Sequence, residues 1–188
     1  MQPRKYPKGF LTDKGTIGED LETTGNVGKR DKGCFFITID IIYSKFLGLH
    51  IKIEYNNGLR SIRFLNPGEK HTEKKTLEPT FELERYFEGE VIKFSSELDI
   101  SHLSPFEQKV LQETINIKYG NTITYSQLGE KIGCKGPRAI GNALGKNPIP
   151  IIIPCHRVVA KKGIGGYSAG IDIKTRLLDL EKRTLNNL

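Results

Sequence analysis

The residues best equipped for chemistry in this 188-residue chain stand together in IPCHRVV, Ile153 to Val159. A cysteine is followed at once by a histidine and an arginine, and three isoleucines, Ile151 to Ile153, lead into it. Cysteine reacts as its thiolate, a minor species at neutral pH when the thiol keeps its ordinary pKa of about 8.5, so a nucleophile needs a base or a cation at hand. His156 is the adjacent base. Neighbouring side chains of an extended segment point to opposite faces, so contact between Cys155 and His156 needs a turn at Cys155, which the sequence alone does not prove.

An imidazole that works as a base is oriented by an acid. The acids downstream are Asp172, Asp179 and Glu181. Read as a helix, DIKTRLLDLEKR opens with Asp172 as its cap and puts Ile173, Leu177 and Leu180 on an apolar side. Glu181 is carried toward that side and Asp179 away from it. Cys155, His156 and Glu181 are therefore a candidate relay. The alternative is a buried structural cysteine beside a surface histidine.

Between the thiol and that helix lies KKGIGGYSAG, four glycines in ten residues, with Tyr167 and Ser168 in the middle. Such a loop can lie over a flat ligand and offer backbone N–H groups, and equally suits a plain flexible connection. It lacks the spacing and terminal lysine of a phosphate-binding Walker loop.

Upstream, two short helices are expected. TYSQLGEKIG has Thr124 three residues before Gln127, a capping box, and Gly133 as its stop. PRAIGNALGK starts at Gly136-Pro137 and ends at Asn147-Pro148. A tight turn joins them, which reads as helix-turn-helix. The second helix is rich in small residues (Ala139, Gly141, Ala143, Gly145), each glycine costing about 1 kcal/mol of helix propensity, so close approach by another helix or by a nucleic-acid groove is implied. Arg138 stands in its first turn, where the helix end disfavours a cation.

Before these, LSPFEQKVLQETINIKYG predicts a helix capped by Ser104, with Phe106, Val110, Leu111 and Ile115 as its apolar stripe. PTFELERYFEGE predicts one short helix carrying Phe81, Leu83, Tyr86 and Phe87. CFFITIDII, FLGLHIKIEY and LRSIRFL read as strands, the last two joined by a turn at Asn56 to Gly58. Glu69 to Glu78 is a polar connector, and residues 1–32 read as tail or irregular structure.

The formal net charge of +7 is placed unevenly. Residues 1–100 carry 16 Lys and Arg against 16 Asp and Glu, whereas residues 101–188 carry 13 against 6. A cationic surplus confined to one part points to a polyanion there, or to a solvated basic face with no partner. No apolar run is long enough to span a membrane and none of signal-peptide kind follows the N-terminus, so the expected setting is the cytoplasm. Cys34, Cys134 and Cys155 are odd in number and widely spaced, which favours free thiols over a disulfide framework. Cys34, His50 and His71 make no convincing zinc set.

These motifs together resemble the methylated-DNA–protein-cysteine methyltransferases, or O6-alkylguanine-DNA alkyltransferases. The resemblance rests on IPCHRVV, the preceding GNALGKNPIPIII, TYSQLG, GGYSAG and LLDLE at Leu177 to Glu181. It is close over about residues 102–183 and holds only in layout before them. SPFEQKVL also fits, with Leu111 where the family usually has tryptophan. The fold implied is α/β: an N-terminal ribonuclease-H-like α/β domain with a small antiparallel sheet over residues 1–100, then a mainly helical domain with the helix-turn-helix over residues 101–188.

The function implied is direct, single-use transfer of an alkyl group from O6 of guanine in double-stranded DNA to Cys155. Glu181 would orient His156, which takes the thiol proton through a water. Tyr125 would supply a proton to the departing guanine, and Ser168 would hydrogen-bond the same oxygen. Tyr167 and Gly166 would lie against the base, with the Cys155 and Val158 carbonyls accepting from its amine. Asn147 would support the turn into the active segment. Arg138 would fill the stack left by the flipped base, with Ala139, Gly141 and Ala143 small enough for the minor groove and Lys135 and Arg157 as further DNA contacts. No cofactor or metal is implied, and a monomer is; activity on O4-alkylthymine is left open. The competing readings are a lesion-binding module without chemistry, a cysteine hydrolase, and a transcription factor that reads the major groove.

Overall fold

The computed structural model describes residues 37–66 and 68–188. The expectations for residues 1–32 and Cys34 fall outside the described residues.

Three strands, β1 (Thr38–Ser44), β2 (Leu49–Tyr55) and β3 (Leu59–Phe64), form an antiparallel sheet in the order β1-β2-β3. The register pairs Ile42 with Ile51 and Ile53 with Ile62, which puts these residues on the buried face. Asn56 to Gly58 makes the β2–β3 turn, the Asn56 N–H donating to the Gly58 carbonyl at 3.0 Å. The polar connector adds to the sheet edge at Lys74, which exchanges both backbone hydrogen bonds with Ile41.

Helix α1 (Glu78–Phe87) has no cap of its own, since Leu77 stands at its N-cap position. Asp40 of β1 serves instead. Its carboxylate accepts from the backbone N–H groups of Thr76 at 2.6 Å and Leu77 at 2.8 Å and from the Thr80 hydroxyl at 2.7 Å. Burial would raise this carboxyl's pKa; the bonds from Leu77 and Thr76 outweigh burial and lower it. A buried acid thereby ties helix to sheet.

The remaining helices are α2 (Pro105–Ile115), α3 (Tyr125–Ile132), α4 (Pro137–Gly145) and α5 (Ile171–Asn186). The expected capping box of Thr124 with Gln127 is present, and the expected Ser104 cap is itself a capping box, closed by Glu107. The apolar stripe of α2 is narrower than expected: Val110 and Leu111 are buried with Thr114, while Phe106 and Ile115 lie near its two ends and are 39% and 42% exposed. Helix α3 stops at Gly133 in the left-handed conformation, φ 75°. The following turn passes so close that a Cβ on Gly129 would lie 2.4 Å from the Cys134 carbonyl oxygen. Helix α5 begins before the expected Asp172 cap: Gly170 is its N-cap and Asp172 lies in the first turn.

Two further strands, β4 (Ile123–Thr124) and β5 (Val158–Val159), pair in parallel. At two residues each they are too short for any periodic signal, yet they join the start of α3 to the IPCHRVV segment. The sheet docks on the helical part through Ile62 N–H to the Pro148 carbonyl at 2.8 Å and through Arg176 of α5, whose guanidinium donates to the Leu47 and Phe46 carbonyls. The architecture is a small antiparallel sheet with one helix, followed by a mainly helical part that contains a helix-turn-helix. None of the helices among the described residues is long and apolar enough to cross a membrane.

Candidate active site

The segment that brings Cys155 forward is bent twice. Ile151 takes a left-handed φ of 76°, rare for a β-branched residue, and is held there fully buried. The Ile153 N–H then returns to the Ile149 carbonyl at 3.0 Å. After Pro154, Cys155 to Arg157 form one 3-10 turn, with the Arg157 N–H donating to the Pro154 carbonyl at 2.9 Å. A turn does stand at Cys155, but it does not bring the cysteine and histidine side chains into contact. It sends the two side chains apart: Cys155 to the wall of a cavity, His156 back into the core.

The cavity measures about 440 Å³ and is lined by Cys155 with Tyr125, Arg138, Gly141, Tyr167 and Ser168. Cys155 is only 6% exposed. Asn147 donates from Nδ2 to its sulfur at 3.0 Å and to the Ile153 carbonyl at 2.9 Å, and accepts the Ile149 N–H at 3.0 Å. Burial pushes the Cys155 thiol pKa up; the Asn147 N–H and the charge of Lys174 act against burial without overcoming it. At rest the sulfur is a protonated thiol. The Tyr167 hydroxyl is buried beside it, and burial, then the charge and hydrogen bonding of the Cys155 sulfur, hold its pKa well above the usual value.

Behind the sulfur the polar groups converge on Glu181. His156 is fully buried and its Nε2 lies 2.8 Å from Glu181 Oε1. A carboxylate can only accept, so the neutral ring carries its proton on Nε2 and leaves Nδ1 as acceptor; Nδ1 is buried and has no protein partner. Burial lowers the His156 pKa more than Glu181 raises it, which keeps the ring neutral at pH 7. The surface histidine of the alternative reading is thereby excluded. Glu181 Oε1 also accepts from the Tyr86 hydroxyl at 2.8 Å, and Oε2 from the Gly120 N–H at 2.9 Å. Burial would raise the Glu181 pKa, but the bonds from His156 and Arg157 outweigh it and bring it to about 2. Asp179 is exposed, as expected.

Arg157 corrects an expectation. Its guanidinium grips both Glu181 oxygens at 2.8 to 3.1 Å, donates to the Ile117 carbonyl at 2.6 Å and lies over the Tyr119 ring. At 8% exposure it faces inward and offers no surface for DNA, because the 3-10 turn that buries His156 buries its neighbour too. Ala143 is the second correction. It is 2% exposed, so its smallness serves the packing of α4 in the core. The open face of α4 is instead Arg138, Gly141, Asn142 and Gly145, one helical stripe along the cavity. Ala139 and Lys135 are exposed beside it. Asn142 was not among the expected residues, although its spacing from Arg138 marks it.

Two more groups escape sequence reading. Lys174 is fully buried on α5 and donates to the Val158 carbonyl at 2.6 Å and the Gly166 carbonyl at 3.1 Å. Its ammonium lies 5.8 Å from the centre of the Tyr125 ring, and burial lowers its pKa to about 8. Residues 174, 177 and 181 share one helical face, so the apolar stripe that found Glu181 could have found it. The Val158 carbonyl, expected to accept from a base, is therefore already engaged by this lysine, as is that of Gly166. Gly166 also accepts the Tyr125 hydroxyl at 3.2 Å. Gly165, at φ 74°, leaves room for that tyrosine, since a Cβ there would lie 2.9 Å from its ring. Tyr86 is the other missed group, 95 residues from Glu181 along the chain.

Residues 105–183 match the family described as 6-O-methylguanine DNA methyltransferase, DNA binding domain. A methylated-DNA–protein-cysteine methyltransferase of Saccharolobus islandicus is 46% identical over 99 residues, 53% of this chain and 64% of that relative. The chain thus spans somewhat less than two thirds of the length of that curated relative. Among solved structures, Mycobacterium tuberculosis OGT in complex with DNA superimposes with a TM-score of 0.66 at 34% identity, over 78% of this chain and 93% of that one. An O6-methylguanine-DNA methyltransferase from Pyrococcus kodakaraensis superimposes at 0.57 with 26% identity, over 78% of this chain and 99% of that one. With a third of the aligned residues identical to a solved relative that it covers almost end to end, the chain belongs to the O6-alkylguanine-DNA alkyltransferase family, the methylated-DNA–protein-cysteine methyltransferases.

Proposed function

We propose that this protein repairs double-stranded DNA by moving an alkyl group from O6 of guanine to the Cys155 sulfur, once per molecule. One observation carries the reading. A thiol lies on the wall of a cavity whose rim is the second helix of a helix-turn-helix, and the next residue along the chain, His156, is buried and hydrogen-bonded to Glu181. The cavity volume falls within the range of about 300–1,000 Å³ usual for small-molecule sites.

DNA approaches α4, drawn by the surplus of 13 Lys and Arg over 6 Asp and Glu in residues 101–188. Arg138, exposed in the first turn of α4 and without an ion pair among the described residues, takes the place of the flipped base, whose extrusion costs a few kcal/mol. Gly141 lets α4 enter the narrow minor groove, and Lys135 meets phosphate. The base enters between Tyr125, Tyr167 and Ser168.

His156 is neutral, so its Nδ1 takes the thiol proton through a water, while Glu181 steadies the imidazolium on the other side. The Asn147 N–H and the Lys174 charge stabilise the thiolate. Sulfur attacks the alkyl carbon, the carbon–O6 bond breaks as the sulfur–carbon bond forms, and its electrons stay on guanine. Tyr125 gives the guanine a proton and Ser168 bonds its oxygen. The thioether remains, so the protein is spent. Residues 101–188 carry the reaction, residues 1–100 form the other domain, and the junction lies at about residues 90–103. The protein works as a monomer, in the cytoplasm, on genomic DNA.

Intact mass after incubation with duplex DNA containing O6-methylguanine tests the reading. The expected result is one methyl group on Cys155, in one-to-one yield with repaired guanine. Turnover with an unmodified thiol would overturn it. Cys155→Ala is expected to keep its affinity for lesion DNA in a gel-shift titration and to transfer nothing; any residual transfer would remove Cys155 as the acceptor.

A further inference from the structure

Glu181 is held from a direction that the reaction does not require. Tyr86 belongs to α1, in the N-terminal part, yet its hydroxyl donates at 2.8 Å to Glu181 Oε1, the oxygen that also faces His156 Nε2. The ring is 1% exposed and wedged between Phe87, Phe94 and Tyr119, with centroids 5.6 to 6.2 Å away. It has no room to swing away. An oxygen that serves several donors gives less of its charge to each. The groups that face or surround His156 are Glu181 and Lys174 from α5, Arg157 and Cys155 from its own turn, and Tyr86 from α1 by way of Glu181.

We propose that Tyr86 is a positioning residue for the relay: it fixes the Glu181 oxygen that His156 meets and restrains the basicity of the imidazole, so that the N-terminal part tunes a reaction performed on the C-terminal one. The inference rests on the reading that His156 takes the Cys155 proton. Without the phenol hydroxyl, Glu181 Oε1 has more negative charge to offer and favours the imidazolium. Because the ring must be neutral to accept the thiol proton, the acid limb of the transfer rate then moves to higher pH.

Two measurements on Tyr86→Phe test this. Single-turnover transfer to the full chain is followed against pH, and the imidazole nitrogens of the DNA-free protein are titrated by 15N NMR, a readout independent of transfer. The expected result is an upward shift of both midpoints by about half a pH unit, with the rate down about fivefold near pH 6 and about twofold near pH 8.5. Placing 3-fluorotyrosine at position 86 keeps ring and hydroxyl while strengthening the donor, and is expected to move the midpoints down. In a Glu181→Gln background the Tyr86→Phe shift should vanish. A lower melting temperature with unmoved midpoints, or an equal effect of Tyr86→Phe with and without Glu181, would overturn the proposal. If wild-type protein gains no alkyl mass, the functional reading fails, while the NMR midpoint still decides the role of Tyr86.

Discussion

The two sides of Cys155 are built on opposite rules. Behind it, His156, Arg157, Tyr86 and the Gly120 N–H converge on Glu181, itself fully buried. In front, Ser168 is exposed, and α4 offers Arg138, Gly141 and Asn142 to open space. A group that must hold one geometry through a proton transfer is over-determined by its neighbours. A wall that must receive a base leaves its polar atoms for the visitor. The difference separates machinery from binding surface without reference to any relative.

The contrast can be broken most strongly from behind. Burial would raise the Glu181 pKa, but its hydrogen bonds depress it from 4.5 to about 2. The sign follows: the stabilisation is whole above about pH 4.5 and is lost as pH falls toward 2. Its size is roughly 3 kcal/mol. Urea unfolding at several pH values should show the gap between wild type and Glu181→Gln closing by about that amount on acidification; a constant gap would mean that Glu181 is not held as an anion.

Next in size, Glu181→Gln should slow transfer at pH 7.5 by about a hundredfold, in single-turnover assays, while DNA affinity stays near wild type. An unchanged rate would take Glu181 out of the relay.

The front side yields smaller effects that sharpen the distinction. Arg138→Ala should cost about tenfold in repair of duplex DNA and little in reaction with free O6-alkylguanine base. Equal losses on both substrates would remove its role in flipping. Lys135→Ala should weaken duplex binding about twofold near physiological salt, and lower the slope of log affinity against log salt by about one. An unaltered slope would place Lys135 away from phosphate.

Much of this arrangement was legible in the chain because it is local. The capping boxes at Ser104 and Thr124, the stop at Gly133 and the turn at Asn56 to Gly58 are each decided by residues within four positions of one another. Glu181 was found because helical spacing carries it toward the side of Leu177. Where reading failed, the cause was non-local. Nothing near Asp40 says that it caps a helix more than thirty residues on, and nothing near Tyr86 says that it meets Glu181. Arg157 is implied as a DNA contact by the family resemblance, and a 3-10 turn carries it inward instead. Ala143 was assigned to the groove by size alone, whereas the phase of α4 assigns that face to residues 138, 141, 142 and 145.

The missing methyl group at Gly129 has a reach beyond its own contact. Because the chain after α3 runs within 2.4 Å of where that carbon would stand, the pitch between α3 and α4 is set at the level of a single hydrogen atom. Tyr125 heads one of these helices and Arg138 the other. The span from Tyr125 to Arg138 is thus a fixed gauge, and even the smallest side chain at position 129 would mis-set it.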